Sequence, residues 1–300
     1  MKNIFEVKNM CLKLLAGFAV ITASLLCVSI SSALDDQSVN PNLPVIDMSS
    51  LPNGVSVNTS GNVQTITTTL DKTIINAQSS NIGAGYTVNF VAPTYDNGNL
   101  PSILFRDIGT NPSNINGTVN SNAFLVWVNT NGINIGSTGQ INAPSLVLST
   151  RDITNTNFLS ANYIFEKQLD KETDRLLLNR GTITISQGGF GVLIAGAIEN
   201  QGIIVCPVGT IALAGGDAVR LDISSNKLIS IAIDREVADT ILDYENNPIT
   251  KQLNNTGTIQ ANGGTVIFRA EALPGIFERA INLEGVVKAD KVARYHVCYP

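Results

Sequence analysis

The stretch Phe124-Leu125-Val126-Trp127-Val128 is a run of branched and aromatic residues that suits a strand. It meets a polar corner, Asn129-Thr130-Asn131-Gly132, and then a second short strand pattern, Ile133-Asn134-Ile135-Gly136. A hairpin is one reading of that pairing. The unit recurs, however, as Asn179-Arg180-Gly181-Thr182-Ile183-Thr184-Ile185, Asn200-Gln201-Gly202-Ile203-Ile204-Val205 and Asn255-Thr256-Gly257-Thr258-Ile259, each followed by a Gly-rich turn and another β pattern. Self-similarity of this kind predicts stacked units that bury a core only against their neighbours. The expected body is all-β, a solenoid of short strands.

Elsewhere the pattern fills in around that body. Leu34 to Asn53 is polar and carries Pro41, Pro44 and Pro52, which predicts an extended lead-in over 34–54 rather than a packed element. From Val55 to Leu70 the chain alternates, with Val63, Thr65, Thr67 and Thr69 on one side and Ile66, Thr68 and Leu70 on the other. Such Thr-rich strands suit a cap over an otherwise open first coil. Thr73 to Phe90 reads as two strands around Asn81-Ile82-Gly83-Ala84-Gly85, where Gly83 and Gly85 permit positive φ and Asn81 tolerates it. The gap between Gly202 and Gly257 exceeds one repeat, so an insertion is expected at about 220–254: Leu221-Asp222-Ile223 and Leu228 to Ile233 form a hairpin outside the coil.

Composition sharpens this picture. The charged fraction is 14%, with 25 glycines and a formal charge of -5, so no basic stripe exists for a nucleic acid and no nucleic-acid partner is expected. Residues 1–33 read as a signal peptide: Lys2, Lys8 and Lys13 precede the apolar run Leu14 to Ile30, and Ser31-Ser32-Ala33 offers a cleavage site after Ala33. An uncleaved anchor is the alternative, but the run is barely long enough to span a bilayer. Leu26 directly before Cys27 argues against a lipoprotein site. Cleavage takes three Lys and one Glu from 19 basic and 24 acidic residues, leaving 16 and 23 and a charge of -7. It also removes Cys11 and Cys27; nothing in the sequence brings the remaining Cys206 and Cys298 within disulfide reach, and Cys206 reads as a small apolar filler in a strand.

In order along the chain come Ile74-Ile75-Asn76 with Asn81 to Gly85 and Val88-Asn89-Phe90, Pro112 to Gly117, Asn129 to Ile133, Leu148 to Ile153, and Asn162 to Phe165. Together these motifs resemble the two-partner secretion (TPS) domain of filamentous haemagglutinin-like exoproteins. The resemblance covers about residues 51 to 290. It departs from the family at Thr130, where the corner usually carries Pro, and at Ala77 and Ser80, where aromatics are common. What it implies is a right-handed parallel β-helix over 55–290 with an N-terminal β cap. Ile183, Ile185, Val192, Ile194, Ile203, Val205, Ile211, Leu213, Ile259, Val266 and Phe268 are then expected to stack inside it. It also implies a non-enzymatic, secreted export module that crosses the inner membrane by Sec and meets the periplasmic domains of a cognate outer-membrane transporter while still extended. A host or neighbouring-cell surface is a further implied partner. Asn129, Asn131 and Gly132, with Asn76, Asn81 and Gly83, would belong to the segment that the transporter reads; the plain structural alternative is that they turn the chain. Residues 291–300 form a tail, and a chain ending there is expected for a truncated gene, a fragment or a stand-alone unit.

Candidate chemistry is thin. No cofactor and no metal site is expected, and no catalytic residue. His296 is the sole histidine, so a His-based dyad or metal site has no partner. Asp234, Glu236, Asp239, Asp243 and Glu245 match no calcium loop and read as a solvated acidic loop. The competing hypotheses are a pectin-lyase-type β-helix enzyme, for which Asp217, Asp222 and Arg220 are the nearest group of suitable residues, and a surface structural protein.

Overall fold

The computed structural model describes residues 42–95, 99–169, 173–224 and 228–296. The signal segment with Ala33, the first part of the lead-in (34–41), and Cys298 lie outside the described residues. Within them the chain coils as a parallel β-helix, three strands to a turn. Phe124–Asn129 and Ile133–Ile135 do not pair as a hairpin but lie on different faces. Each pairs in parallel with its counterparts in the turns before and after: Trp127 with Phe105 and Leu148, Ile133 with Ser113 and Leu177.

Three faces result. A broad face stacks Lys72–Ser79, Ser102–Asp107, Phe124–Asn129, Ser145–Ser149, Phe190–Ala195 and Thr210–Gly215. A polar face stacks Val63–Thr68, Thr87–Val91, Thr118–Ser121, Gln140–Ala143, Thr182–Ile185 and Ile203–Val205. A short face stacks Ser113–Ile115, Ile133–Ile135, Leu177–Asn179 and Ile198–Asn200, continued by Lys251–Asn255 and Arg279–Leu283. In the last turns Thr258–Ala270 and Val286–His296 run through both the polar and the broad face.

The amino end is closed by the antiparallel pair Val55–Ser60 and Val63–Thr68, the expected cap. Residues 42–51 pack instead of forming a loose lead-in: Val45–Ile46 pairs antiparallel with the strand Lys72–Ser79, and Leu43 and Ile46 are buried. Pro44 sits just before that strand, where its missing N–H costs no ladder bond.

The interior is lined by rows of stacked apolar residues on each face, among them Ile141, Ile183, Ile204 and Ile259 on the polar face. Phe90, Phe105 and Trp127 meet edge-to-face inside the early turns, with centroids 4.7 to 6.2 Å apart. Four expected interior residues are elsewhere. Ile203 is exposed and Val205 half-buried, because Ile204 takes the inward position opposite Ile183. Three consecutive β-branched or aliphatic residues carry no alternation, and a slip of one residue inverts the assignment. Val192 and Ile194 are buried, but on the outer side of the broad face.

That outer side explains the two excursions from the coil. Leu104, Val126, Val147, Val192 and Ile194 form a second core, covered by a three-stranded antiparallel sheet of Tyr163–Glu166, Ala218–Ile223 and Ile229–Arg235. The expected hairpin is therefore present, but it pairs with a strand from an earlier excursion, residues 150–176, which also contains the short helix Asn155–Leu159. Thr154 caps that helix by accepting a bond from the Asn157 N–H.

The Asn-Gly corners have a packing reason. A Cβ on Gly202 would lie 2.2 Å from the Gly181 carbonyl oxygen, and one on Gly257 would lie 2.2 Å from that of Gly202. Beside this column Asn179, Asn200 and Asn255 form a buried ladder, each Nδ2 donating to the next Oδ1 at 2.7 Å. The recurring Asn-x-Gly is thus a stacked corner in which each amide partners its copy one turn away.

Candidate functional site

At the corner Asn129-Thr130-Asn131-Gly132, the end of a broad-face strand turns into the short face. Asn129 is fully buried and all its side-chain bonding capacity is used. Its Nδ2 donates to Asn111 O at 3.0 Å and Ser113 Oγ at 2.9 Å, while its Oδ1 accepts from Asn131 N at 2.8 Å and Asn131 Nδ2 at 3.1 Å. Asn131 Nδ2 also donates to Gly109 O at 3.0 Å. Gly132 has φ +116°, and a Cβ there would lie 2.9 Å from the Tyr244 hydroxyl, so the position is closed to other residues on both counts. The hydroxyl of Thr130 donates to Gln168 Oε1 at 3.2 Å.

Asn76, Asn81 and Gly83 lie two turns earlier, and the two groups are connected through the turn between them. Ser80 Oγ donates to Asp107 and is hydrogen-bonded to Ser113 Oγ, which in turn accepts from Asn129. Ser80, Asp107, Ser113 and Asn129 form one buried polar chain across the coil's corner. Asn81 Oδ1 accepts from Asn114 N at 2.9 Å, and Asn76 Nδ2 donates to Ser50 Oγ at 3.2 Å. Gly83 does not have positive φ; Gly85 does, at +81°. Gly83 is required because Asn42 sits against it, 2.4 Å from where a Cβ would be. Sequence marked Ser80 only as a departure from the family's aromatic and Ser113 only as part of the Pro112 to Gly117 motif; their hydrogen bonding has no periodic signature.

A second buried network was equally hidden. Arg151 is 1% exposed and forms a bidentate pair with Asp174, both bonds 2.8 Å, and a further bond to Asp217 Oδ1 at 2.9 Å. Its Nε donates to Gly216 O at 2.9 Å. Asp174 belongs to the first excursion and Asp217 opens the second, so one guanidinium fastens both to the coil. Lys167 adds a bond of 2.8 Å to Asp239 and lies 3.5 Å from Asp174.

This geometry separates the grouping considered for an enzyme. Asp217 is held inward by Arg151, whereas Arg220 and Asp222 point to solvent from the extra-helical sheet, Arg220 pairing with Asp234 at 3.1 Å. In the acidic loop, Asp239 is lowered below the usual carboxylate range by Lys167, and Asp243 by its hydrogen bonds to Asn247. Among the described residues no group of three or more His, Cys, Asp or Glu could hold a metal ion. His296 is exposed at the end of the last strand. Cys206 follows the strand Ile203–Val205 and is fully buried, its thiol pushed up to about 11 by desolvation.

Among solved structures, the chain is similar to the HMW1 secretion domain from Haemophilus influenzae, with a TM-score of 0.60 and 24% identity over 80% of this chain and 69% of that one. It is also similar to the filamentous hemagglutinin secretion domain, with a TM-score of 0.41 and 18% identity over 84% and 97% of the two chains. No curated protein matches the sequence. A sequence model of the TPS secretion domain matches residues 45–296, which span every strand of the coil described above. The parallel β-helix, its cap and its Asn-Gly corners are therefore those of a family member: the chain belongs to the TPS secretion domain family.

Proposed function

We propose that this protein is the export module of a two-partner secretion exoprotein, directed through a cognate outer-membrane transporter by the segment from Asn76 to Gly132. Members of the family are secreted exoproteins that work with such a transporter. A Sec signal over 1–33, cleaved after Ala33, would deliver the chain to the periplasm. The observation that carries the reading is the state of Asn129: with two donated and two accepted bonds, it offers a partner nothing in the folded domain. A transporter that reads this corner reads it before the coil closes, and coiling then withdraws it. Binding of the open chain and folding are thus opposed, and completed folding favours release on the far side.

The reading is non-enzymatic. It is supported by the dispersal of Asp217, Arg220 and Asp222 to different environments. A passenger joined to this module, and a host or neighbouring-cell surface that it contacts, are parts of the same proposal.

The test is secretion of the chain with and without its transporter. Extracellular protein is expected only with the transporter, and Asn129→Ala is expected to lower it. Equal secretion in both strains ends the proposal.

A further inference from the structure

The outward sides of the faces are treated differently by the fold. That of the broad face is apolar and covered by the extra-helical sheet. Among the described residues no strand covers that of the polar face, and seven of its strands share one chemistry. From Val63–Thr68 through Thr87–Val91, Thr118–Ser121, Gln140–Ala143, Thr182–Ile185 and Ile203–Val205 to residues 258–261, the strands contain no Asp, Glu, Lys, Arg or His. The protein is acidic overall, yet these seven strands are neutral; the next turn brings the first charge of the face, the exposed Lys288 in register with Gln260.

Parallel register turns these strands into columns. Thr118, Gln140 and Thr182 are stacked in one, and Asn120, Asn142 and Thr184 in the next. The asparagines are tied to one another: Asn120 Nδ2 donates to Asn89 Oδ1 and Asn142 Nδ2 to Asn120 Oδ1, both at 3.0 Å. The middle carboxamide of that ladder, Asn120, keeps one N–H and one lone-pair direction for the outside. The hydroxyls of Thr118, Thr182 and Thr184 and the carboxamide of Gln140 have no protein partner among the described residues. One turn further, Ile203 and Val205 continue the two columns as an apolar step, with Ile203 44% exposed.

We infer that this face is a platform for an extended, uncharged glycan. The seven strands span about 29 Å at the inter-strand spacing of a sheet. They offer hydroxyl and amide groups at that fixed interval along the axis, which suits a polymer whose own hydroxyls recur at each sugar. The apolar step gives the C–H face of a pyranose a surface to rest on. Nucleic acid and anionic lipid need cations that these strands lack. A protein partner of ordinary interface composition needs an apolar, aromatic centre that is also missing. Because the columns are fixed by backbone pairing on both sides, little freedom is lost on binding. The inference is independent of how the chain is exported.

The experiment uses the full secreted, folded chain. Retention on microcrystalline cellulose, chitin and an insoluble β-1,3-glucan is compared with the double variant Gln140→Lys/Thr184→Lys, whose two side chains are exposed and place charge on the face. Asp222→Lys, on the solvent side of the extra-helical sheet, is the control for added charge. Thermal melts of all three proteins confirm folding, and Thr184→Ser serves as a conservative variant if the double variant does not fold. The expected result is retention on at least one of the three glycans, reduced at least tenfold by the double variant and unchanged by Asp222→Lys and Thr184→Ser. Absence of retention on all three, or equal retention of the double variant, overturns the inference. So does sedimentation showing a dimer that the double variant breaks, which assigns the face to a second copy instead.

Discussion

Replacing Arg151 by Ala should be among the most damaging single changes in the domain. The guanidinium is 1% exposed and gives bonds to Asp174, Asp217, Gly216 and Thr150 at 2.8 to 3.4 Å. Its loss leaves two carboxylates buried, with Lys167, 3.5 Å from Asp174, as the remaining cation in the network. Removing one partner of a buried ion pair costs about 3–5 kcal/mol, mostly from the charge left behind. At roughly 2–4 °C per kcal/mol for a domain near this size, the midpoint should fall by about 6–20 °C. Asp174→Ala should cost more than Asp217→Ala, since it removes the bidentate partner. The triple variant Arg151→Met/Asp174→Leu/Asp217→Leu should recover most of the loss, because no carboxylate is stranded and Lys167 keeps its bond to Asp239. Hydrogen exchange localises the effect: protection should drop first in Tyr163–Glu166 and Ala218–Arg235, the sheet that Arg151 fastens, before the coil. An Arg151→Ala domain within about 1 kcal/mol of wild type by urea titration, or one in which coil and outer sheet lose protection together, would refute the argument.

Gly202→Ala should fail to give soluble, folded protein or lower its stability by several kcal/mol, because its Cβ would meet the backbone oxygen of Gly181, which cannot rotate away; circular dichroism of the purified variant checks this. Ile204→Asp should abolish folding while Ile203→Asp leaves the melting temperature within a few degrees, a direct assay of which residue faces the interior. For Cys206, raised to about 11 in the fold, the neutral thiol is the form that the native state favours. Its contribution is intact below the ordinary thiol range and declines as pH climbs from about 9 towards 11, so a Cys298→Ser chain should lose stability over that window and Cys206→Ala should lose less of it. Alkylation of Cys206 at neutral pH should then proceed only at the rate of unfolding.

The coil itself was legible because its rule is local and repeated. Asn-x-Gly corners at one-turn spacing, branched residues between them and a Thr-rich alternation at the start are enough to predict stacked strands and a cap. Parity was legible only where polar residues alternate with apolar ones. Thr182-Ile183-Thr184-Ile185 declares its inward side, whereas Ile203-Ile204-Val205 does not. Val192 and Ile194 were placed inside for the related reason that both sides of the broad face are apolar, one facing the interior and one facing a second layer. The motif from Leu148 to Ile153 was visible, yet not the role of Arg151 within it, since its partners lie 23 and 66 residues further on. The corner Asn129 to Gly132 was found by its turn composition; its connection to Ser80 through Ser113 depends on stacking and leaves no linear trace.

The aromatic cluster of Phe90, Phe105 and Trp127 bears on the direction in which such a coil is built. These rings are among the largest fully buried side chains and fall within the early turns, directly after the cap. Large aromatic rings bury the most area per residue. A polypeptide emerging amino end first therefore brings its greediest apolar groups into solution early, before the thinner Ile, Ala and Cys lining of the middle turns follows. In a chain delivered in that order, the first windings would carry the largest buried rings, and each later one would lie upon a finished template.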